Sequence, residues 1–114
     1  MPHFLIDCSE SIFKLHSEEE IIEKVHSAAK STELFNENDI KVRVNSFKKY
    51  STGNNIEDFI HVFSHIMEGR NNERKADLSR KIVQGLTSLF PAVPNIGANV
   101  IEFENANYCN RNKL

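Results

Sequence analysis

The stretch Met1-Pro2-His3-Phe4-Leu5-Ile6-Asp7-Cys8 opens the chain and decides how the rest of it is interpreted. A proline followed at once by a short apolar run is typical of a buried β-strand. Met1 is normally removed when a small residue follows it, which would leave Pro2 as a secondary amine at the start of that strand. A main-chain amine has a reference pKa of about 7.7–8.0, and burial lowers that pKa because the charged form loses solvation. Pro2 is therefore a candidate general base at neutral pH.

The same dipeptide has a purely structural interpretation. Proline suits the first position of a strand because it does not need to donate a hydrogen bond to the neighbouring strand. A two-residue motif also occurs often by chance, so Met1-Pro2 alone favours the structural interpretation. Other parts of the sequence have to support a catalytic role.

The bulk composition is that of one ordinary globular domain. The chain has 114 residues, of which 39% are hydrophobic and 26% are charged, and its net charge is -2. This charge balance gives no reason to expect a nucleic-acid partner. The opening apolar run is too short for a signal peptide, and no stretch approaches the ~20 apolar residues that span a bilayer. We therefore expect a cytoplasmic protein with no membrane partner.

The hydrophobic pattern predicts two strand-helix-strand units of similar length. The predicted order of elements indicates the α/β (α+β) class. The elements are strand 3–8, helix 17–32, strand 40–47, strand 59–67, helix 73–90 and strand 99–104. Two βαβ units favour a two-layer sandwich in which both helices cover one face of a four-stranded sheet. We expect one domain over residues 1–114, with halves at about 2–48 and 58–106.

The residue pattern of the second strand predicts that the face of the sheet without helices packs against another subunit. Lys41, Arg43 and Phe47 share one side of this strand, because side chains alternate along it. Two cations beside an aromatic residue make a face of mixed character, which favours another subunit over solvent. Any anion-binding site is expected to use such a local cluster, since the whole chain is not basic.

The histidines and cysteines do not predict a metal site. His61 and His65 lie on the predicted third strand, about 13 Å apart on one face, which is too far for one ion. They are interpreted as core or interface residues. Cys8 and Cys109 lack the spacing of a zinc site or a disulfide framework, so two reduced thiols are expected.

Several stretches together resemble one enzyme family. Pro2-His3-Phe4-Leu5-Ile6-Asp7-Cys8-Ser9 is similar to the start of the 5-carboxymethyl-2-hydroxymuconate isomerases of the tautomerase superfamily. The likeness continues in Ile40-Lys41-Val42-Arg43-Val44, in His61-Val62 and in Gly69-Arg70. It covers nearly the whole chain in element order and length, and it reverses the balance that the dipeptide alone gave.

The resemblance implies a tautomerase-like homotrimer with active sites near the subunit interfaces and no metal or organic cofactor. Such an enzyme moves a proton within a 2-hydroxy-dienoate or 2-oxo acid, with the amino-terminal proline as base and then as acid. We assign Pro2, Arg70 and Arg43 to catalysis, and Lys41 and Phe47 to substrate binding. Guanidinium groups bind carboxylates through paired hydrogen bonds, and Arg70 precedes a helix N-terminus that favours anions.

Two positions depart from the family pattern. Lys41 stands where an arginine is expected, and lysine provides a point charge without the planar fork of a guanidinium. Asn71 follows Arg70 where a small or hydroxyl residue is expected. These departures affect the expected substrate preference more than the expected reaction type.

Two alternatives remain open at this point. The first is a related phenylpyruvate-type tautomerase with a less charged pocket. The second is a trimeric ligand-binding module on the same scaffold in which Pro2 is inert. Retention of Met1 would favour the second, because Pro2 would then be a tertiary amide without a basic nitrogen.

Overall fold

A four-stranded sheet covered on one face by two helices makes up the protein. The computed structural model describes residues 1–114. In chain order the elements are β1 (His3–Ser9), α1 (Glu18–Ser31), β2 (Lys41–Phe47), β3 (Phe59–Met67), α2 (Asn72–Leu89) and β4 (Asn95–Phe103). Neither helix is both long enough and apolar enough to cross a membrane.

The sheet has the order β2-β1-β3-β4 and contains both strand directions. β1 runs parallel to β2 after the α1 crossover, and β3 runs parallel to β4 after the α2 crossover. The two units meet where β1 pairs antiparallel with β3, with His3 opposite His65 and Leu5 opposite Phe63. The predicted fold, a duplicated βαβ sandwich, is confirmed.

Both helices begin at side chains that cap their first backbone amides. Ser17 and Glu20 form a reciprocal capping box at the start of α1, as the sequence predicts. The side chain of Asn71 accepts a hydrogen bond from the Arg74 amide, 2.9 Å away, and so caps α2. Asn71, which departs from the family pattern, therefore has a local structural role as an N-cap.

The core lies between the sheet and the two helices. Alternate strand residues face the helices and are buried, including Phe4 and Ile6 of β1 and Ile60 and Val62 of β3. They pack against the buried helix residues Ile21, Val25, Ala29, Leu78, Ile82 and Leu86. The opposite face of the sheet carries no helix, so its side chains form an open face.

The fourth strand begins four residues earlier than predicted. Asn95 and Gly97 have the composition of a loop, yet both lie within β4. The Asn95 side chain donates a hydrogen bond to the Asp58 carbonyl oxygen at 3.1 Å, and Gly97 packs against the His61 ring. Contacts with β3 therefore extend the strand through residues that disfavour strands locally.

Candidate active site

Pro2 is buried immediately before the central strand β1. Its carbonyl oxygen accepts a hydrogen bond from the backbone amide of Lys41 at 3.1 Å, which continues the pairing with β2. Because β1 and β3 are antiparallel, the start of β1 lies beside the end of β3. Pro2 therefore lies at the end of the sheet where β2 begins and β3 ends.

The terminal amine next to Pro2 lies close to a lysine. The Met1 amine and the Lys41 Nζ atom both donate to the Asp39 carbonyl oxygen, each at 2.9 Å. Burial lowers the pKa of this amine, the hydrogen bond and charge of Lys41 lower it further, and the charge of Asp39 opposes them. While Met1 is present, the Pro2 nitrogen is a peptide nitrogen and has no basic lone pair.

Two cations lie on the open face near this end of the sheet. Lys41 and Arg43 are opposite His3 and Leu5 of β1, and both are exposed. The Arg43 Nη1 atom lies 3.2 Å from His3 Nδ1. This part of the open face can attract a carboxylate, because the cations come from one strand and face the same side.

Arg70 lies at the same end of the sheet but faces the helical layer. Its Nη2 atom donates to the Leu34 carbonyl oxygen at 2.8 Å, and its Nη1 atom donates to the Met67 carbonyl oxygen at 3.4 Å. Its guanidinium also lies 5.1 Å from the centroid of the Phe35 ring. Within one chain these contacts hold Arg70 on the helix side, whereas Arg43 stands on the open face, so the two arginines do not converge.

Phe47 lies at the opposite end of β2 from Lys41. Six residues of strand separate them, which is roughly 20 Å at ~3.3 Å per residue. The Phe47 ring packs against Phe59, with centroids 6.3 Å apart, and Phe59 also contacts Tyr50. One chain therefore does not bring Phe47 to Pro2.

An aromatic row near Pro2 was not predicted from the sequence. Phe103 of β4 contacts His3 edge-on at 6.2 Å and stacks on His65 at 5.9 Å. Tyr108, which follows β4, contacts Phe103 at 5.6 Å. The alternation of Asn99, Ile101 and Phe103 was a signal for one shared face, but it did not identify the neighbours across the sheet.

The thiol of Cys8 and the imidazole of His61 have surroundings that suit a structural role. The Cys8 thiol is buried, and burial, followed by the charges of Asp7 and Glu18, raises its pKa to about 11. His61 is half-buried on the open face, and its Nε2 atom lies 2.7 Å from Asn99 Oδ1. No group of three or more His, Cys, Asp or Glu side chains lies close enough to hold a metal ion.

A surface cleft of about 810 Å³ lies away from Pro2. It lies between the end of α1 and the start of α2, and its lining includes Leu34, Asn71 and Arg74.

Comparison with known proteins gives a family match over most of the chain. The sequence model of the 5-carboxymethyl-2-hydroxymuconate isomerase family matches residues 2–108. No curated protein gives a significant sequence match.

Solved structures with low sequence identity share the fold. A 5-carboxymethyl-2-hydroxymuconate isomerase from Deinococcus radiodurans R1 is 19% identical, with a TM-score of 0.83 over 96% of this chain and 88% of that one. A protein solved after inactivation by 2-oxo-3-pentynoate is 15% identical, with a TM-score of 0.83 over 96% and 91%. A fused 4-OT protein, solved as an asymmetric trimer, is 9% identical, with a TM-score of 0.81 over 96% and 92%. These similarities establish the tautomerase-like fold.

Proposed function

This chain belongs to the 5-carboxymethyl-2-hydroxymuconate isomerase family, and from that premise we propose that it is a cofactor-free tautomerase with Pro2 as its acid and base. Its substrate is a 2-hydroxy-dienoate with more than one carboxylate. The observation that carries the proposal is the position of Pro2, which is buried at the start of the central strand beside Lys41. An amine at this point is partly desolvated and close to a cation, and both effects favour its neutral form.

In the proposed mechanism, removal of Met1 makes the Pro2 nitrogen a secondary amine. The neutral amine takes the proton from the 2-hydroxyl oxygen of the dienol, which leaves a dienolate and a protonated proline. The protonated nitrogen then delivers that proton to a carbon of the conjugated chain, and Pro2 returns to its neutral form. Arg43 and Lys41 bind carboxylate groups and stabilise the negative charge of the dienolate.

The proposed active enzyme is a homotrimer. The open face beside Pro2 has no covering element in one chain, so a neighbouring subunit is needed to exclude water from the reaction. In this assembly Phe47 contributes to the site from a neighbouring subunit, and Arg70 takes part in catalysis after its guanidinium turns toward the substrate.

We treat residues 1–114 as one domain, with halves at about 2–48 and 58–106, because β1 and β3 join the two halves.

A phenylpyruvate-type tautomerase is the second candidate, and the contacts of Arg70 favour it. Two carbonyl oxygens and the Phe35 ring already engage this guanidinium. If it stays there, Lys41 and Arg43 are the cations left for the substrate. These two cations lie side by side on β2 and form a single anion-binding patch, which can hold one carboxylate.

The test is a comparison of native protein with its Pro2→Ala variant, each confirmed by mass to lack Met1. Ketonisation of 2-hydroxymuconate and of phenylpyruvate enol is followed by ultraviolet absorbance. We expect a rate well above that of buffer with 2-hydroxymuconate, and a loss of at least ~100-fold in the variant, since a positioned acid or base contributes about 10²–10⁴-fold.

A chemical label provides a second readout. The ynone acid 2-oxo-3-pentynoate is electrophilic, and a neutral proline nitrogen adds to its triple bond without losing any atoms of the reagent. Mass spectrometry of the labelled protein should locate one reagent mass on the amino-terminal peptide. A Pro2→Ala variant that retains full activity and the native assembly would contradict the proposal.

A further inference from the structure

His3 directly contacts the arginine that the proposed mechanism uses to bind a carboxylate. The His3 Nδ1 atom lies 3.2 Å from Arg43 Nη1, and the two residues come from adjacent strands. A guanidinium only donates hydrogen bonds, so His3 Nδ1 must be the acceptor here. This contact requires a neutral imidazole whose proton is on Nε2.

The surroundings of His3 hold its ring in place and favour the neutral form. Phe103 of β4 packs edge-on against the ring at 6.2 Å, and His65 of β3 is its partner across the sheet. Lys41 and Arg43 face it from β2, and the terminal amine is also near. Burial lowers the pKa of His3 most, followed by the charges of Arg43, Lys41, the terminal amine and His65.

We propose that His3 is a positioning residue that orients the Arg43 guanidinium toward the substrate carboxylate, an inference that rests on the proposed function. The Nδ1 acceptor holds one N–H group of Arg43 against β1. The remaining N–H groups stay free to form a paired contact with a carboxylate. Arg43 has an exposed, flexible side chain, and fixing it beforehand reduces the ordering that substrate binding requires.

The experiment uses two substitutions that separate the hydrogen bond from packing. His3→Asn keeps an acceptor oxygen near the Nδ1 position, whereas His3→Phe keeps an aromatic ring and removes the acceptor. The matched control is His65→Phe, because His65 stacks on the same Phe103 ring from the paired position on β3. Each protein is assayed for kcat and KM with 2-hydroxymuconate and for affinity toward cis,cis-muconate by calorimetry.

We expect His3→Phe to raise KM and the muconate Kd about threefold to tenfold, as loss of one hydrogen bond predicts, with kcat changed less than KM. His3→Asn and His65→Phe should stay within about twofold of the native protein. In an Arg43→Ala background, His3→Phe should have no further effect, because His3 acts through Arg43. Equal weakening by His3→Asn and His3→Phe would overturn the inference, as would additive effects of the His3 and Arg43 changes.

The binding measurement separates this inference from the proposed function. If native protein binds muconate and shows the expected His3 pattern without turning over the dienol, the catalytic proposal fails and the positioning role stands. If turnover depends on Pro2 but the His3 variants bind muconate like the native protein, the positioning role fails alone. Absence of muconate binding by the native protein overturns the positioning role as well.

Discussion

Lys41 links the terminal amine to the cations of the open face. Its ammonium group and the amine share the Asp39 carbonyl oxygen, while its strand position places it next to Arg43. An arginine here would spread its charge over a planar fork, whereas lysine concentrates that charge at one atom. Under the proposed mechanism, this departure from the family pattern lies close both to the acid-base group and to the substrate-binding face.

We predict that Lys41→Met moves the acid limb of the kcat/KM profile to higher pH. Lys41 lowers the pKa of the Met1 amine, and we expect its charge to act in the same direction on the Pro2 amine once Met1 is removed. Loss of Lys41 should then raise the pKa of the Pro2 amine and leave less of it neutral at a given pH. Because the base must be neutral to act, the variant should lose activity at a higher pH than the native protein when the pH is lowered. The measurement is the pH profile of dienol ketonisation by protein without Met1.

Lys41→Arg is the matched control for this prediction, because it keeps the positive charge. Its acid limb should stay close to that of the native protein, even if KM changes. An unshifted limb in Lys41→Met, measured in the same buffers, would show that Lys41 does not act on the catalytic amine.

Sequence alternation predicted which side of β2 carries Lys41 and Arg43, since that depends only on the two-residue period of a strand. It did not predict that Arg70 turns toward Leu34 and Phe35, or that Phe103 packs beside His3. Those contacts join residues far apart in the chain, and local spacing carries no information about them. The roles assigned to Pro2, Arg43, Arg70, Lys41 and Phe47 stay predictions until they are tested by activity.

At the scale of elements, capping residues and period were sufficient for the two helices and insufficient for β4. The capping box at Ser17 is a local feature, so the start of α1 followed from sequence. β4 extends back to Asn95 because β3 pairs with it, and Gly97 fits beneath the His61 ring. Tertiary contact overrides strand propensity at this position.

The glycines Gly85 and Gly97 should respond oppositely to alanine. In α2 a Cβ atom at Gly85 would lie 3.2 Å from Lys24 Cδ, and this flexible side chain can move away. Gly85→Ala should therefore stabilise the protein by about 0.5–1 kcal/mol through helix propensity. In β4 a Cβ atom at Gly97 would lie 3.0 Å from His61 Nδ1, and the contact with Asn99 holds that ring. Gly97→Ala should cost about 1 kcal/mol or more.

Urea unfolding of the two variants and the native protein checks this prediction through the shift of the midpoint at constant m. Stabilisation by Gly97→Ala would mean that the His61 ring yields easily and that the glycine is not required for close packing. Destabilisation by Gly85→Ala would mean that Lys24 is fixed against α2.

At the scale of the whole molecule, two strand-helix-strand units share one sheet, and their similar lengths made this architecture predictable. Right-handed crossovers place both helices on the same side, so the opposite face is left without a partner in one chain. Down its centre this face carries the half-buried residues Leu5 and Phe63, with the cations of β2 at one edge. A small domain with such a face gains stability by association.

We therefore predict that the native protein has a solution mass three times the 13.1 kDa of one chain, and that Phe63→Lys lowers it. A lysine at the centre of the open face would bury an unpaired charge between subunits, which is costly. Thr87→Lys adds the same charge on the exposed surface of α2 and should leave the mass unchanged. Light scattering coupled to size-exclusion chromatography measures all three proteins. A native monomer would mean that the open face is not a subunit interface, and a Phe63→Lys trimer would mean that the subunits associate through other surfaces.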